Sequence, residues 1–151
     1  MEIREDDPGS SALAELLAQH VAFGRAHTPP ENTHVLVPDR LRDPAITFWT
    51  AWEGETLLGM VALKQIAPDH AEVKSMRTAD AALRRGVGRA LLDHLLAVAC
   101  ARGYRRVRLE TGTAPPFDPA TRLYEQAGFV DGPAFGGYPA SPHNRFMYLD
   151  L

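Results

Sequence analysis

Ala71-Glu72-Val73-Lys74-Ser75-Met76-Arg77-Thr78, a short polar hinge, then Leu83-Arg84-Arg85-Gly86-Val87-Gly88-Arg89: this stretch decides how the chain reads. Its first half alternates like a strand, and its second half is a glycine- and arginine-rich turn. The turn opens onto an apolar helix predicted over Val87–Arg102. A helix start offers unpaired N–H groups and the positive end of the macrodipole, so it suits an anion. Gly86 and Gly88 let a ligand approach the backbone, and the arginines add charge. The tenant expected at this turn bears phosphate.

Working outward, a first strand is predicted at Met1–Arg4. The turn Asp7-Pro8-Gly9-Ser10 leads into a helix of roughly Ser11 to Ala26, on the spacing of Leu13, Leu16, Leu17, His20, Val21 and Phe23. Thr28-Pro29-Pro30-Glu31-Asn32 breaks it, and a short helical turn is expected around Pro38–Arg42. Ile46–Glu53, Leu57–Ile66 and Ala71–Thr78 read as an antiparallel meander. The Val87–Arg102 helix carries Val87, Leu91, Leu95 and Val98 on one stripe and is capped at Gly103. Arg105–Glu110 is a strand, Asp118 is read as the N-cap of a helix over Pro119–Ala127 ending at Gly128, and Phe129–Val130 and Asn144–Leu149 supply the last strands. The order implies an α+β domain around a mostly antiparallel sheet.

The 151 residues suffice for one domain with a real core, expected to span residues 1–151. A net charge of −3 argues against a general nucleic-acid binder. No run of about 18 apolar residues is present, so no membrane span is expected, and the N-terminus does not read as a signal peptide. The single cysteine, Cys100, is read as a small buried hydrophobe in the second long helix. A cytoplasmic setting is expected. Trp49 and Trp52 lie three apart on a strand and so point to opposite faces, from which at most one is expected in the core. Scattered histidines give no metal-ligand spacing. No Rossmann fingerprint follows the first strand, and a Walker-type loop lacks its Lys-Ser/Thr pair.

The order of elements, the segment Glu72–Arg89 and Leu123-Tyr124-Glu125-Gln126-Ala127-Gly128-Phe129 together resemble the GCN5-related N-acetyltransferases (GNAT) along essentially the whole chain. A bacterial subgroup is closer still, through Lys74–Thr78, Leu109–Gly112, Pro29–Glu31 and Phe146-Met147. Three departures stand out. Leu83 occupies the first position of the acyl-CoA turn, where the family has Gln or Arg. Phe117 replaces an asparagine seven residues before Tyr124. His143-Asn144-Arg145 replaces the subgroup's Asn-Ser-Val.

The resemblance implies a mixed, mostly antiparallel sheet of about six to seven strands, splayed between the fourth and fifth and flanked by helices. It implies acetyl-CoA as acyl donor, with no metal. The diphosphate would be held by backbone N–H groups across Arg84, Arg85, Gly86, Val87, Gly88 and Arg89. The pantetheine arm would lie along the backbone of Met76, Arg77 and Thr78, with an N–H near Met76 polarising the thioester carbonyl. Tyr124 stands where the family places the acid for the departing thiolate. For the base, Glu110 is the first choice, with Glu72, Glu31, His34 and His143 as further candidates. Glu31 and His34, after the first helix, are acceptor-binding candidates, as is His143 near the C-terminus. The expected acceptor is a small amine of amino-acid type. Acetylation of a protein N-terminus or lysine, and acyl-CoA binding without turnover, remain alternatives. The resemblance admits a homodimer, although no sequence feature demonstrates one.

Overall fold

The computed structural model describes residues 1–34, 36 and 38–151. Seven strands form one sheet: β1 (Glu2–Glu5), β2 (Ile46–Glu53), β3 (Thr56–Ala67), β4 (His70–Thr78), β5 (Arg106–Gly112), β6 (Val130–Asp131) and β7 (Asn144–Asp150). Their order across the sheet is β1-β2-β3-β4-β5-β7-β6. All neighbours are antiparallel except β4 and β5. That parallel pair requires a crossover, which α2 (Val87–Ala101) supplies. The remaining helices are α1 (Ala14–His27) and α3 (Asp118–Gln126). The expected α+β architecture and meander are therefore present.

Each face of the sheet is covered. On one, Val87, Leu91, Leu92, Leu95 and Ala99 of α2 pack with Trp49, Val61, Leu63, Val73, Val107, Leu109 and Met147. On the other, Leu13, Leu16 and Leu17 pack with Phe48, Met60 and Ala62. This corrects the expectation for the two tryptophans. They do point to opposite faces, but Trp49 is 4% exposed and Trp52 8%, because neither face is left to water. Trp52 donates its indole N–H to Thr50 Oγ1 at 2.7 Å and lies under the Arg4 guanidinium.

Cys100 is a second correction: it is exposed. The buried stripe of α2 runs through Leu95 and Ala99, and the next residue turns about 100° away from it. Val98 is half-buried at the stripe's margin. Asp118 is a third, being the first residue of α3 rather than its cap. A 3-10 turn over Pro115–Phe117 runs straight into the helix, Phe117 is the flanking residue, and no side chain caps the end. Finally, β5 continues past Glu110 to Gly112, paired throughout with β7.

Candidate active site

β4 and β5 pair only from His70 to Glu72, against Arg106 to Arg108. The strands then part, and the cause lies in β4. Between the pairs Ala62↔Lys74 and Met60↔Arg77, Ser75 and Met76 together face the single residue Val61, and Ser75 has φ 53°. Such a bulge bends its strand and interrupts the ladder. The gap opens into a cleft of about 820 Å³, bounded by β4, β5, the start of α2, α3 and the C-terminal half of α1.

The start of α2 forms one wall. Gly86 precedes the helix with φ 79°, a left-handed conformation that side-chain-bearing residues resist. A Cβ there would meet nothing within 4 Å, so the glycine serves the turn and the approach stays open. The first helical bond runs from the Ala90 N–H to Gly86 O at 3.0 Å, leaving the N–H groups of Val87, Gly88 and Arg89 without intrahelical acceptors. Gly88 is close-packed, since a Cβ would lie 3.2 Å from Leu123 Cδ2 and 3.5 Å from Thr78 Oγ1. Of the residues expected to grip an acyl donor, all but Arg85 line the cleft. Arg85 instead donates to Glu53 Oε2 at 2.7 Å on the surface. Arg89 pairs along the helix with Asp93 at 2.9 Å. Leu83 lines the cleft and is 54% exposed.

Tyr124 enters from α3. The helix ends in a Schellman turn, in which the Gly128 N–H donates to Glu125 O and the Phe129 N–H to Tyr124 O, both at 3.0 Å. This holds the Tyr124 ring beside Phe129, 5.9 Å between centroids. Tyr124 is buried, and burial pushes its hydroxyl above the usual phenol range.

The opposite wall is polar. On β5, Val107 and Leu109 face the α2 core, so Arg108 and Glu110 face the other way, over the α1 side of the sheet. There the two Glu110 carboxylate oxygens lie 2.8 and 2.7 Å from His34 Nδ1. His34 stacks on Tyr138 at 4.0 Å with an interplanar angle of 11°. Burial pushes the Glu110 carboxyl up, while His34 and then Lys74 oppose the shift. Glu72, although close in sequence to the cleft, is 3% exposed and occupied: Lys74 Nζ lies 2.7 Å away and Arg108 Nε 3.2 Å. It serves as a structural counter-ion. Glu31 and His143 are exposed and do not line the cleft, so of the three acceptor-binding candidates the fold brings only His34 to it.

Some cleft features had no counterpart in the sequence reading. The Ser75 bulge leaves no mark, since serine gives no hint of a positive φ. Asn144 lines the cleft and donates from Nδ2 to Asn32 O at 2.9 Å, tying β7 to the segment after α1. Phe117 covers Gly112, where a Cβ would come within 2.2 Å of its ring, and stands edge-on to Phe23 at 5.1 Å. Its replacement of asparagine was visible; its place in an aromatic wall was not. Among the described residues no group of three or more His, Cys, Asp or Glu could hold a metal ion.

A helix N-terminus aimed into a gap between two parallel strands is the geometry that comparison with known proteins then explains. The model of the acetyltransferase (GNAT) family matches residues 8–129. The chain belongs to the GNAT family. It is 44% identical over 149 residues to the uncharacterized N-acetyltransferase YedL of Escherichia coli (strain K12), covering 99% of this chain and 94% of that protein. It is 42% identical to the uncharacterized N-acetyltransferase YsnE of Bacillus subtilis (strain 168), over the full length of both. Among solved structures, a Bacillus subtilis acetyltransferase in complex with CoA superposes with a TM-score of 0.71 at 17% identity, covering 99% of this chain and 98% of that one. That last likeness is one of fold. As a GNAT protein the chain is an acyltransferase, and the splayed strands are the family's sheet architecture.

Proposed function

We propose that this GNAT protein, acting as a single domain over residues 1–151, transfers the acetyl group of acetyl-CoA to the amine of a small, amino-acid-like molecule. The observation that carries the reading is the cleft itself. Free helix N–H groups stand at one end and a half-buried carboxylate–imidazole pair at the other, on either side of a strand whose ladder is broken between them.

The open approach at Gly86 and the unpaired N–H groups of Val87, Gly88 and Arg89 fit a diphosphate. The backbone of Met76–Thr78, freed from β5, fits an extended amide-bearing arm. Acetyl-CoA would supply a thioester, whose carbonyl carbon accepts the amine and whose sulfur leaves. The bulge at Ser75 and Met76 turns main-chain groups out of the ladder, and an N–H there would stabilise charge on the carbonyl oxygen.

Glu110, drawn up by burial, is the group placed to take the proton the amine must lose, directly or through water. His34 fixes the carboxylate's orientation. Tyr124 would face the sulfur. Because burial raises its pKa, it holds its proton firmly, so it stabilises a thiolate by donating a hydrogen bond more readily than by giving the proton away. Glu31, His143 and Arg85 have no part in this scheme.

Release of free thiol from acetyl-CoA in the presence of a panel of small amines tests the proposal. Acceptor-dependent release supports it. Release only with peptides bearing a free N-terminus or lysine moves the activity to protein substrates. CoA binding without any acceptor-dependent release makes the chain a binding module, and failure to bind CoA removes every one of these readings.

A further inference from the structure

The side chain of Arg77 is a half-buried cation with no acid within hydrogen-bond distance. It is 17% exposed, and its nearest acid is Asp80, whose Oδ1 lies 3.9 Å away on a side chain that is 78% exposed. That is beyond hydrogen-bond distance. Its Nε is buried with no hydrogen-bond partner among the described residues. The guanidinium lies over the Phe23 ring at 5.0 Å. Burial, and after it the Arg77 charge, brings the pKa of neighbouring His20 down to about 4, so that histidine is neutral near pH 7. A desolvated charge in this condition is costly unless something pairs with it.

The direction of the side chain narrows what that something is. Val73 and Met76 of β4 pack toward α2, whereas Arg77 reaches the other way, onto α1. The N–H groups suited to a diphosphate belong to α2. Arg77 therefore lines the same cleft from the opposite side of the sheet, the side that also presents Glu110 and His34.

We infer that the Arg77 guanidinium anchors a carboxylate of the acceptor, so that the preferred substrates are amines that carry an anionic group. This rests on the transferase reading above and adds its substrate class. A carboxylate can take two parallel N–H···O bonds from a guanidinium, which fixes orientation as well as affinity. The amine of the same molecule is then directed toward Glu110.

The test uses the full chain, acetyl-CoA and two matched panels: L-α-amino acids and their α-carboxamides. For at least one amino acid, wild-type kcat/KM should exceed that of its carboxamide by about 10- to 100-fold. Arg77→Gln should bring the ratio close to one, chiefly through KM, and Arg77→Lys should keep part of it. CoA affinity, measured by calorimetry, should be the same in all three proteins. Equal use of acids and carboxamides by the wild type, a ratio unchanged in both variants, or CoA binding without turnover of any amino acid would each overturn the inference. So would a loss of CoA affinity in Arg77→Gln, which would assign the guanidinium to the cofactor's phosphates. A wild type that fails to bind CoA instead removes the transferase reading itself.

Discussion

Glu110 and Tyr124 are both shifted upward by burial, with opposite consequences for their chemistry. A raised carboxyl is a better base once ionised, and it ionises at higher pH than the usual carboxylate, near 4.3. Activity should therefore rise with pH along a limb lying above that value. Glu110→Gln should lower kcat/KM by about 10²- to 10⁴-fold and abolish the limb, as read from pH–rate profiles with saturating acetyl-CoA. A limb that survives the substitution would move the base elsewhere. Tyr124→Phe keeps the ring that packs on Phe129 and removes only the hydroxyl. Turnover should fall by roughly 10- to 100-fold, the worth of a hydrogen bond to a charged group, with CoA affinity little altered. At this scale the sequence was legible wherever a frame surrounded the residue. Leu-Tyr…Gly-Phe located Tyr124, and the fifth strand located Glu110. The partnership of His34 with Glu110 spans 76 positions, and no local pattern encodes it. Arg77 was read for its main chain alone, because alternation along a strand does not reveal that a bulge and a covering helix leave its side chain with no acid in hydrogen-bond reach.

At the scale of elements, the turn between β4 and α2 combines two requirements in a few residues. Gly86 must adopt a positive φ, and the space beside it must stay open. Two substitutions separate these. Gly86→Ala imposes the backbone strain, about 1–2 kcal/mol, without filling the approach with charge. Gly86→Glu adds a carboxylate to that strain. If the turn holds a diphosphate, Gly86→Glu should weaken CoA binding at least tenfold more than Gly86→Ala in calorimetry, while both lower the melting temperature to a similar degree. Equal affinity in the two variants would place the phosphates elsewhere. The helices and the meander were readable from period and punctuation: α2 from its apolar stripe and Gly103, the hairpins from Gly54-Glu55 and Pro68-Asp69. The misread details share one origin. Burial of Trp52 depends on a second covered face, exposure of Cys100 on which side of α2 meets the sheet, and the start of α3 on a 3-10 turn running into it. Each is decided by a partner element rather than by the segment itself.

For the whole molecule, occupancy of the cleft should show in stability. A ligand that binds the native state alone, at 100 times its Kd, adds about 2.7 kcal/mol. For a chain of this size that corresponds to a rise of roughly 5–10 °C in Tm. Thermal melts with and without CoA check this, and an unmoved Tm at saturating CoA would argue against native-state binding. The antiparallel character of the sheet followed from its short connections. That the sheet is mixed came with the family resemblance, and no segment by itself marked β4 and β5 as the parallel pair. Where that contact stops did not follow, because the bulge at Ser75 and Met76 that ends it has no signature in residue type.

The brevity of the β4–β5 contact also divides the sheet mechanically. Strands β1–β4 form one plate and β5–β7 another, joined along a seam only three residue pairs long. Past Glu72 the second edge of β4 has no strand to lean on. In the free protein, the amides of Lys74–Thr78 that are not bonded to β3 should exchange quickly with solvent deuterium, although they sit near the middle of a seven-stranded sheet. A bound pantetheine arm would act there as a borrowed strand, slowing their exchange and stitching the two plates together for as long as the donor stays in place.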